Sequence, residues 1–186
     1  MRDTGKRSEK EKMLAGEHYI ATGPELSADH ARAARLFGAY NATTPDETGR
    51  RSTILGELLG SVGEGVILRP PVYCDYGYNI HLGSGVFANF GCVFLDGARI
   101  EIGDGCQIGS YVQILTADHP RDPALRRQGL EFAKPVSIGR NAWIGSAALI
   151  LPGITIGDDA IVGAGSVVTR NVPPGATVVG NPARAR

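Results

Sequence analysis

Residues 136–172 read VSIGRNAWIGSAALILPGITIGDDAIVGAGSVVTRNV. An aliphatic residue recurs there at every sixth position: Ile138, Ile144, Ile150, Ile156, Val162 and Val168. Glycine follows most of them, and a small or modest apolar side chain stands four positions after each. Neither the 3.6-residue helix period nor a long strand alternation gives this pattern. It predicts a parallel β-helix in which three repeats close one triangular coil, with the glycines in turns of positive φ.

The same phase continues upstream at three aliphatic-glycine pairs, which are Leu82-Gly83, Ile102-Gly103 and Ile108-Gly109. Between Ile114 and Ile138 the pattern is lost, and the residues there carry charges, prolines and a histidine. We therefore expect residues of about 115–135 to form a loop extruded from the solenoid. Since long loops on rigid scaffolds are commonly functional, this loop is the first place to look for chemistry.

The N-terminal part of the chain has helical patterns in place of the repeat. Residues 8–16 predict a short helix, and Ser27 is a candidate N-cap of a second helix that reaches Tyr40. Thr44 and Glu47 have the spacing of a capping box, which predicts the start of a third helix there.

These helices have a structural reason to exist, because a stack of coils exposes an apolar end that needs cover. We expect residues 1–62 to form a helical cap and residues 63–186 to form the β-helix. The 186 residues, of which 42% are hydrophobic, suffice for one sizeable core.

Charge and composition exclude several classes of partner. The 19 basic and 19 acidic side chains balance, which argues against nucleic acid as the main partner. The N-terminus lacks the apolar region of a signal peptide, and no window approaches the roughly 18 apolar residues of a membrane span. We expect a cytoplasmic protein without a membrane partner. Cys74, Cys92 and Cys106 lack metal-type spacing and are predicted to be structural thiols.

Four polar or aromatic positions stand out, and each has two interpretations on residues alone. Asp75 lies among tyrosines, a combination that suits a sugar but also occurs in packed strands. Asn89 could serve chemistry or a left-handed turn. His119, in the sequence TADHP at the start of the loop, could be a general base or a surface histidine. Trp143 could contact a ligand or shield a coil edge.

Several motifs together resemble those of one enzyme family; in order they are EKMLAGEHY, PPVYCDYGYNIHLG, FANFGCVFLD, TADHP, KPVSIGRNAWIG, PGITIGD, GAGSVVT and GNPAR. The chain resembles the hexapeptide-repeat acyltransferases, and within them the maltose, galactoside and nodulation-factor O-acetyltransferases. The resemblance covers nearly the whole chain. It implies a left-handed all-β solenoid, a hand that periodicity does not supply, and acetyl-CoA as co-substrate.

The resemblance also implies roles for individual residues. The catalytic positions match His119, as general base, and Asn89. The acceptor-binding positions match Asp75, Phe87, Asp96 and Glu131. The donor-binding positions match Trp143, Ser146, Ala164, Thr169, Arg170 and Arg184, of which Thr169 and the arginines fall near the nucleotide. Several relatives carry an acidic residue soon after the position of Tyr19, whereas Ile20 and Ala21 follow here, so the acceptor stays open.

The implied reaction is direct acetyl transfer, in a ternary complex, from acetyl-CoA to a hydroxyl of a sugar or sugar-like acceptor. His119 would accept the hydroxyl proton, and either a backbone N–H near Ser146 or the Asn89 amide would stabilise the oxyanion. We expect a homotrimer with sites between neighbouring subunits, because the flat face of one coil has no concavity for two substrates.

Three alternatives remain at this point. They are acetyl transfer to a non-sugar alcohol or amine, a zinc carbonic anhydrase of the same fold, and a non-catalytic solenoid. The zinc enzymes need three converging histidines, whereas the solenoid region offers only His81 and His119. No metal is therefore expected.

Overall fold

The structure, a computed structural model, describes residues 7–186, so the first six residues of the predicted cap lie outside it. Three helices and one short strand come first: α1 (Glu9–Leu14), β1 (Tyr19–Ile20), α2 (Pro24–Asn41) and α3 (Thr48–Leu58). Ser8 caps α1 in a complete capping box with Glu11. The described residues contain no helix with the length and apolarity to cross a bilayer.

Two predicted helix starts are wrong. Helix α2 begins at Pro24 and not at Ser27, because the fixed φ of proline suits the first helical turn. Helix α3 begins at Thr48, although the Thr44 backbone N–H does donate to Glu47 Oε2 at 2.7 Å. The Thr44 hydroxyl donates to the side chains of Asp46 and Glu47 and accepts from no helix N–H in the described residues, so this turn precedes α3.

Nineteen further strands and one short helix follow among the described residues. In chain order they are β2 (Ser61–Val62), β3 (Ile67–Leu68), β4 (Val72–Cys74), β5 (Ile80–Leu82), β6 (Phe87–Ala88), β7 (Cys92–Leu95), β8 (Ile100–Ile102), β9 (Gln107–Ile108), β10 (Gln113–Leu115), β11 (Ala117–Asp118), α4 (Pro123–Arg127), β12 (Leu130–Ala133), β13 (Val136–Ile138), β14 (Trp143–Ile144), β15 (Leu149–Ile150), β16 (Thr155–Ile156), β17 (Ile161–Val162), β18 (Val167–Val168), β19 (Thr177–Val179) and β20 (Arg184–Ala185).

Most of these strands form the three faces of a parallel β-solenoid of about six coils. The first face contains β2, β5, β8, β13 and β16; the second contains β3, β6, β9, β14, β17, β19 and β20; the third contains β4, β7, β10, β15 and β18. The chain visits the faces in that order, coil after coil. The predicted all-β solenoid with helices at its N-terminal end and an extruded loop is confirmed.

The residues that recur with the six-residue period have their side chains inside the solenoid. The six aliphatic residues from Ile138 to Val168 are at most 3% exposed, and a single buried cluster continues from Ala33 in α2 to Ala183 beyond the last coil. Full burial of one such side chain stabilises the fold by about 1.5–3 kcal/mol.

The glycines that follow the aliphatic residues have a different purpose from the predicted one. Gly145 is not among the glycines with positive φ, which include Gly165. A Cβ atom on Gly145 would lie 2.5 Å from the backbone nitrogen of Ala164 in the next coil. These glycines therefore permit close stacking of the coils, while others take the left-handed turns.

The extruded loop is ordered and tied to the helices. Strands β11 and β12 form its antiparallel stem, and β1 extends the same sheet by pairing with β12. Between them, the Asp122 side chain caps the short helix α4 by accepting from the Ala124 N–H at 2.7 Å.

Candidate active site

The turns between the third and first faces, which we call the loop corner, contain three of the four predicted acceptor residues. Asp75 is half-buried there, and burial raises its pKa, with a further rise from the charge of Glu131 and an opposing effect of His30. The carboxylate of Glu131 therefore lies close enough for its charge to act on Asp75. Carboxylates only accept hydrogen bonds, so this part of the corner suits a ligand that donates them.

Asp96 lies behind Asp75 rather than beside it. Its carboxylate is 0% exposed and accepts from the backbone N–H groups of Asp75, Tyr76 and Asn79 at 3.1, 2.8 and 3.3 Å. Burial raises the pKa of Asp96 to about 6, against the lowering effect of the Tyr76 N–H. This geometry corrects the predicted contact between Asp96 and an acceptor: the buried carboxylate holds the turn that presents Asp75.

Glu131 stands on β12, on the stem of the loop. It is opposite Tyr19 of β1, and the Tyr19 hydroxyl donates to its Oε2 at 3.3 Å. Tyr19 is 1% exposed and packs with Met13, Leu26 and Tyr76. Sequence reasoning missed this contact, because the two residues are 112 positions apart.

His119 follows directly after β11 on the same stem and is exposed. Its backbone N–H donates to Asp118 Oδ1 at 2.7 Å, and Arg121 binds both oxygens of that carboxylate at 2.8 Å. The His119 imidazole makes no hydrogen bond within residues 7–186 and is open to a ligand. His81 is placed differently, on the outside of the first face, where its Nδ1 lies 3.0 Å from the Ser61 hydroxyl.

The turns between the second and third faces, which we call the asparagine corner, contain Asn89, Ser146 and Ala164. Asn89 does not have a positive φ, so turn conformation does not explain this asparagine. Its Oδ1 accepts from the Phe90 N–H at 2.9 Å, while its Nδ2 has no partner within residues 7–186. The backbone N–H of Ser146 is equally free in the described chain. Both predicted oxyanion donors thus remain available.

The predicted donor-binding residues divide between two places. Trp143 is 57% exposed on the outer row of the second face, and Arg184 lies in β20 at the end of that face. Phe87, predicted to bind the acceptor, lies two coils before Trp143 in the same row, with Gln107 between them. Thr169 and Arg170, in contrast, follow β18 at the loop corner and are exposed.

The predicted site is consequently split in two halves. His119, Asp75 and Glu131 belong to the loop corner, whereas Asn89 and Ser146 belong to the asparagine corner, and strands such as β7 (Cys92–Leu95) separate them. A four-residue strand spans about 13 Å. No hydrogen bond within the described chain joins the two halves.

No group of three or more His, Cys, Asp or Glu side chains that could hold a metal ion occurs in residues 7–186. The three cysteines are buried and unpaired, as predicted for structural thiols. Burial raises the pKa of Cys92, and its thiol donates to the backbone oxygens of Asn89 and Gly109.

One further exposed aromatic residue escaped sequence reasoning. Tyr111 is 66% exposed at the asparagine corner and has a φ of 59°, a conformation that bulky residues rarely adopt. Its ring lies over Gly91, where a Cβ atom would come within 2.5 Å of the Tyr111 Cδ1 atom.

Two family models match the chain. The maltose acetyltransferase hexapeptide capping motif matches residues 12–63, and the hexapeptide repeat of succinyl-transferase matches residues 135–170. The first match covers most of the helical region, and the second covers coils that follow the loop in sequence. Fold and motifs together define a hexapeptide-repeat transferase.

Relatives that match nearly the whole chain show which hexapeptide-repeat transferases it resembles most specifically. Nodulation protein L of Rhizobium meliloti (strain 1021) is 56% identical over 180 residues, which are 97% of this chain and 98% of the relative. The crystal structure of a maltose O-acetyltransferase from Clostridium difficile 630 is 47% identical, has a TM-score of 0.95, and covers 98% of this chain and 97% of its own. The chain belongs to the hexapeptide-repeat acetyltransferases.

A third relative supports acetyl-CoA as the acetyl donor. A hexapeptide-repeat acetyltransferase from Vibrio cholerae O1, crystallised with acetyl-CoA, is 38% identical, with a TM-score of 0.89 and coverage of 96% of this chain and 97% of that one. The prediction of an acetyl-CoA-dependent acetyltransferase is confirmed at the level of the family.

Proposed function

We propose that this protein transfers the acetyl group of acetyl-CoA to a hydroxyl of a sugar or sugar-like acceptor, with His119 as the general base. One observation carries the proposal: the exposed His119 imidazole, free of any hydrogen bond in residues 7–186, stands on a hydrogen-bonded stem that also bears Glu131. The stem is fixed because β12 pairs with both β11 and β1.

The chemistry requires no covalent enzyme intermediate, because a thioester is already activated. The acceptor oxygen attacks the thioester carbonyl carbon while the His119 imidazole takes the hydroxyl proton. The resulting oxyanion is stabilised by the Asn89 Nδ2 amide or the Ser146 N–H, both of which are free donors in the described chain. The C–S bond then breaks, and the imidazolium returns its proton to the sulfur of coenzyme A.

The acceptor pocket belongs to the loop corner. Asp75 and Glu131 both only accept hydrogen bonds, so they suit an acceptor with several hydroxyl donors. This preference supports a sugar over an apolar alcohol. A maltose O-acetyltransferase among the relatives is consistent with such an acceptor.

The active site is proposed to form between neighbouring copies in a homotrimer. The loop corner and the asparagine corner carry complementary halves on opposite edges of the third face. The outer row of that face is largely apolar and suits another copy: half-buried Val93, Leu149 and Val167 lie in it, with Gln113 between the first two. In a closed ring the loop corner of one copy meets the asparagine corner of the next.

Such a cleft also unites the divided donor residues. Trp143, Ser146 and Ala164 of one copy would line the groove for the extended pantetheine arm, while Thr169 and Arg170 reach it from the next copy. Arg184 and Arg170 would bind phosphate oxygens, for which the planar guanidinium is suited.

A panel of sugars, amino sugars, nucleosides and simple alcohols, incubated with acetyl-CoA while free thiol is measured, tests the function. We expect sugars to give the highest kcat/KM and mass spectrometry to find one ester-linked acetyl group per product. Thiol release with none of the hydroxyl acceptors, or product acetylated only on nitrogen, would contradict the proposal.

A further inference from the structure

The short strand β1 connects the helices to the loop that carries His119. Tyr19 and Ile20 pair with Glu131 and Leu130 of β12, and β12 pairs in turn with β11 through Phe132 and Asp118. A two-residue strand is a weak attachment on its own. The side chains at this junction must therefore supply the remaining stability.

Tyr19 is the anchor of the junction. Its ring is buried among Met13, Leu26 and Tyr76, and its hydroxyl donates to Glu131 Oε2 on the stem. Gly97 makes room for it, because a Cβ atom there would lie 3.0 Å from the hydroxyl oxygen. The ring is thus packed among largely apolar side chains, while the hydroxyl bonds to the Glu131 carboxylate.

The hydrogen bond has a fixed direction. Burial first, and then the charge of Glu131, raise the pKa of Tyr19 above its ordinary value. The phenol therefore stays protonated at working pH and donates, and the Glu131 carboxylate accepts. One oxygen of Glu131 is thereby held, which limits the rotation of a carboxylate whose charge acts on Asp75.

We infer that Tyr19 is a positioning residue for acceptor binding, which acts by orienting the Glu131 carboxylate beside Asp75. The inference rests on the proposed function, because it takes the loop corner as the acceptor pocket. Tyr19 itself is 1% exposed and does not touch the acceptor. Removal of the Tyr19 hydroxyl should therefore weaken acceptor binding. It should change neither acetyl-CoA binding nor the proton transfer to His119.

Tyr19→Phe tests the inference while keeping the ring and its packing. We expect KM for the acceptor to rise about three- to tenfold, the range of a single hydrogen bond, with kcat and KM for acetyl-CoA within about twofold of wild type. An unchanged KM for the acceptor would overturn the inference.

Tyr40→Phe is the matched control. Tyr40 is a second buried tyrosine of the helices, 1% exposed, and its hydroxyl donates to the Leu68 carbonyl oxygen, away from the loop. This variant should melt at a lower temperature without a change in KM for the acceptor. An equal rise of KM in both variants would show that general loosening of the helices is the cause, and would overturn the inference.

A double-mutant cycle separates positioning from an independent effect. In a Glu131→Ala background, Tyr19→Phe should raise KM no further, because the carboxylate it orients is gone. Additive effects would overturn the inference. Wild-type turnover measured alongside distinguishes the two claims: no transfer to any hydroxyl acceptor refutes the proposed function, whereas transfer with additive effects refutes only the role of Tyr19.

Discussion

Replacement of the buried Asp96 by asparagine should change how the stability of the protein depends on pH. A carboxyl group whose pKa is higher in the folded than in the unfolded chain binds more protons in the native state. Lowering the pH therefore stabilises the native state through this group. The folded pKa is about 6 against an ordinary value of 3.8. A tenfold change in proton affinity is worth about 1.4 kcal/mol, so this difference corresponds to about 3 kcal/mol.

Urea unfolding of wild type and Asp96→Asn at fixed protein concentration, between pH 4 and 7, measures the effect. As the pH falls from 7 to 4, the free energy of unfolding of wild type should gain most of this difference, about 2 kcal/mol, relative to the variant, mainly between about pH 6 and 4. Asparagine does not titrate, so the comparison cancels the other carboxyl groups. Parallel pH profiles for the two proteins would refute the burial of an ionisable Asp96 and its role behind Asp75.

Two further predictions concern the donor site and the asparagine corner. Arg170→Ala and Arg184→Ala should each raise KM for acetyl-CoA several-fold with little change in kcat, because phosphate contacts are the same in ground and transition states. An unchanged KM for acetyl-CoA in both variants would mean that the nucleotide binds elsewhere. Tyr111→Gly should raise the free energy of unfolding by about 0.5–1 kcal/mol, because glycine tolerates the observed φ of 59°. A lower melting temperature would mean that the ring contact with Gly91 outweighs the backbone strain.

The fold could be predicted largely from the repeat, because a period of six residues marks the inward aliphatic positions from Ile138 to Val168. The period did not predict how closely the backbones of neighbouring coils stack. Gly145 and Ala164 are 19 positions apart, and the need for glycine appears only when their backbones stack. The hand of the coil likewise came from the resemblance and not from the period.

The candidate site was predictable where a residue interrupts the repeat and not where the surroundings decide its role. His119 stands in the loop that breaks the period, and it is exposed as a base should be. Asp96 also follows a strand, and its sequence context resembles that of Asp75. Its burial depends on three backbone donors of the turn 75–79, which meet it only after a full coil. The division of the site between two corners was equally invisible in the linear chain.

In the proposed trimer, His119 of one copy and Asn89 of the next complete each active site. His119→Ala alone should lower kcat by about 10²–10⁴, the usual contribution of a general base. Asn89→Ala alone should also lower turnover, while His81→Ala should not.

The direct test combines the two impaired variants. His119→Ala and Asn89→Ala chains carrying different tags are co-expressed, and assemblies that contain both are purified through both tags. In a trimer with shared sites, each mixed assembly has one site with both wild-type residues, so turnover should recover to about one third of wild type. Mixed assemblies as inactive as the separate variants would contradict the shared site.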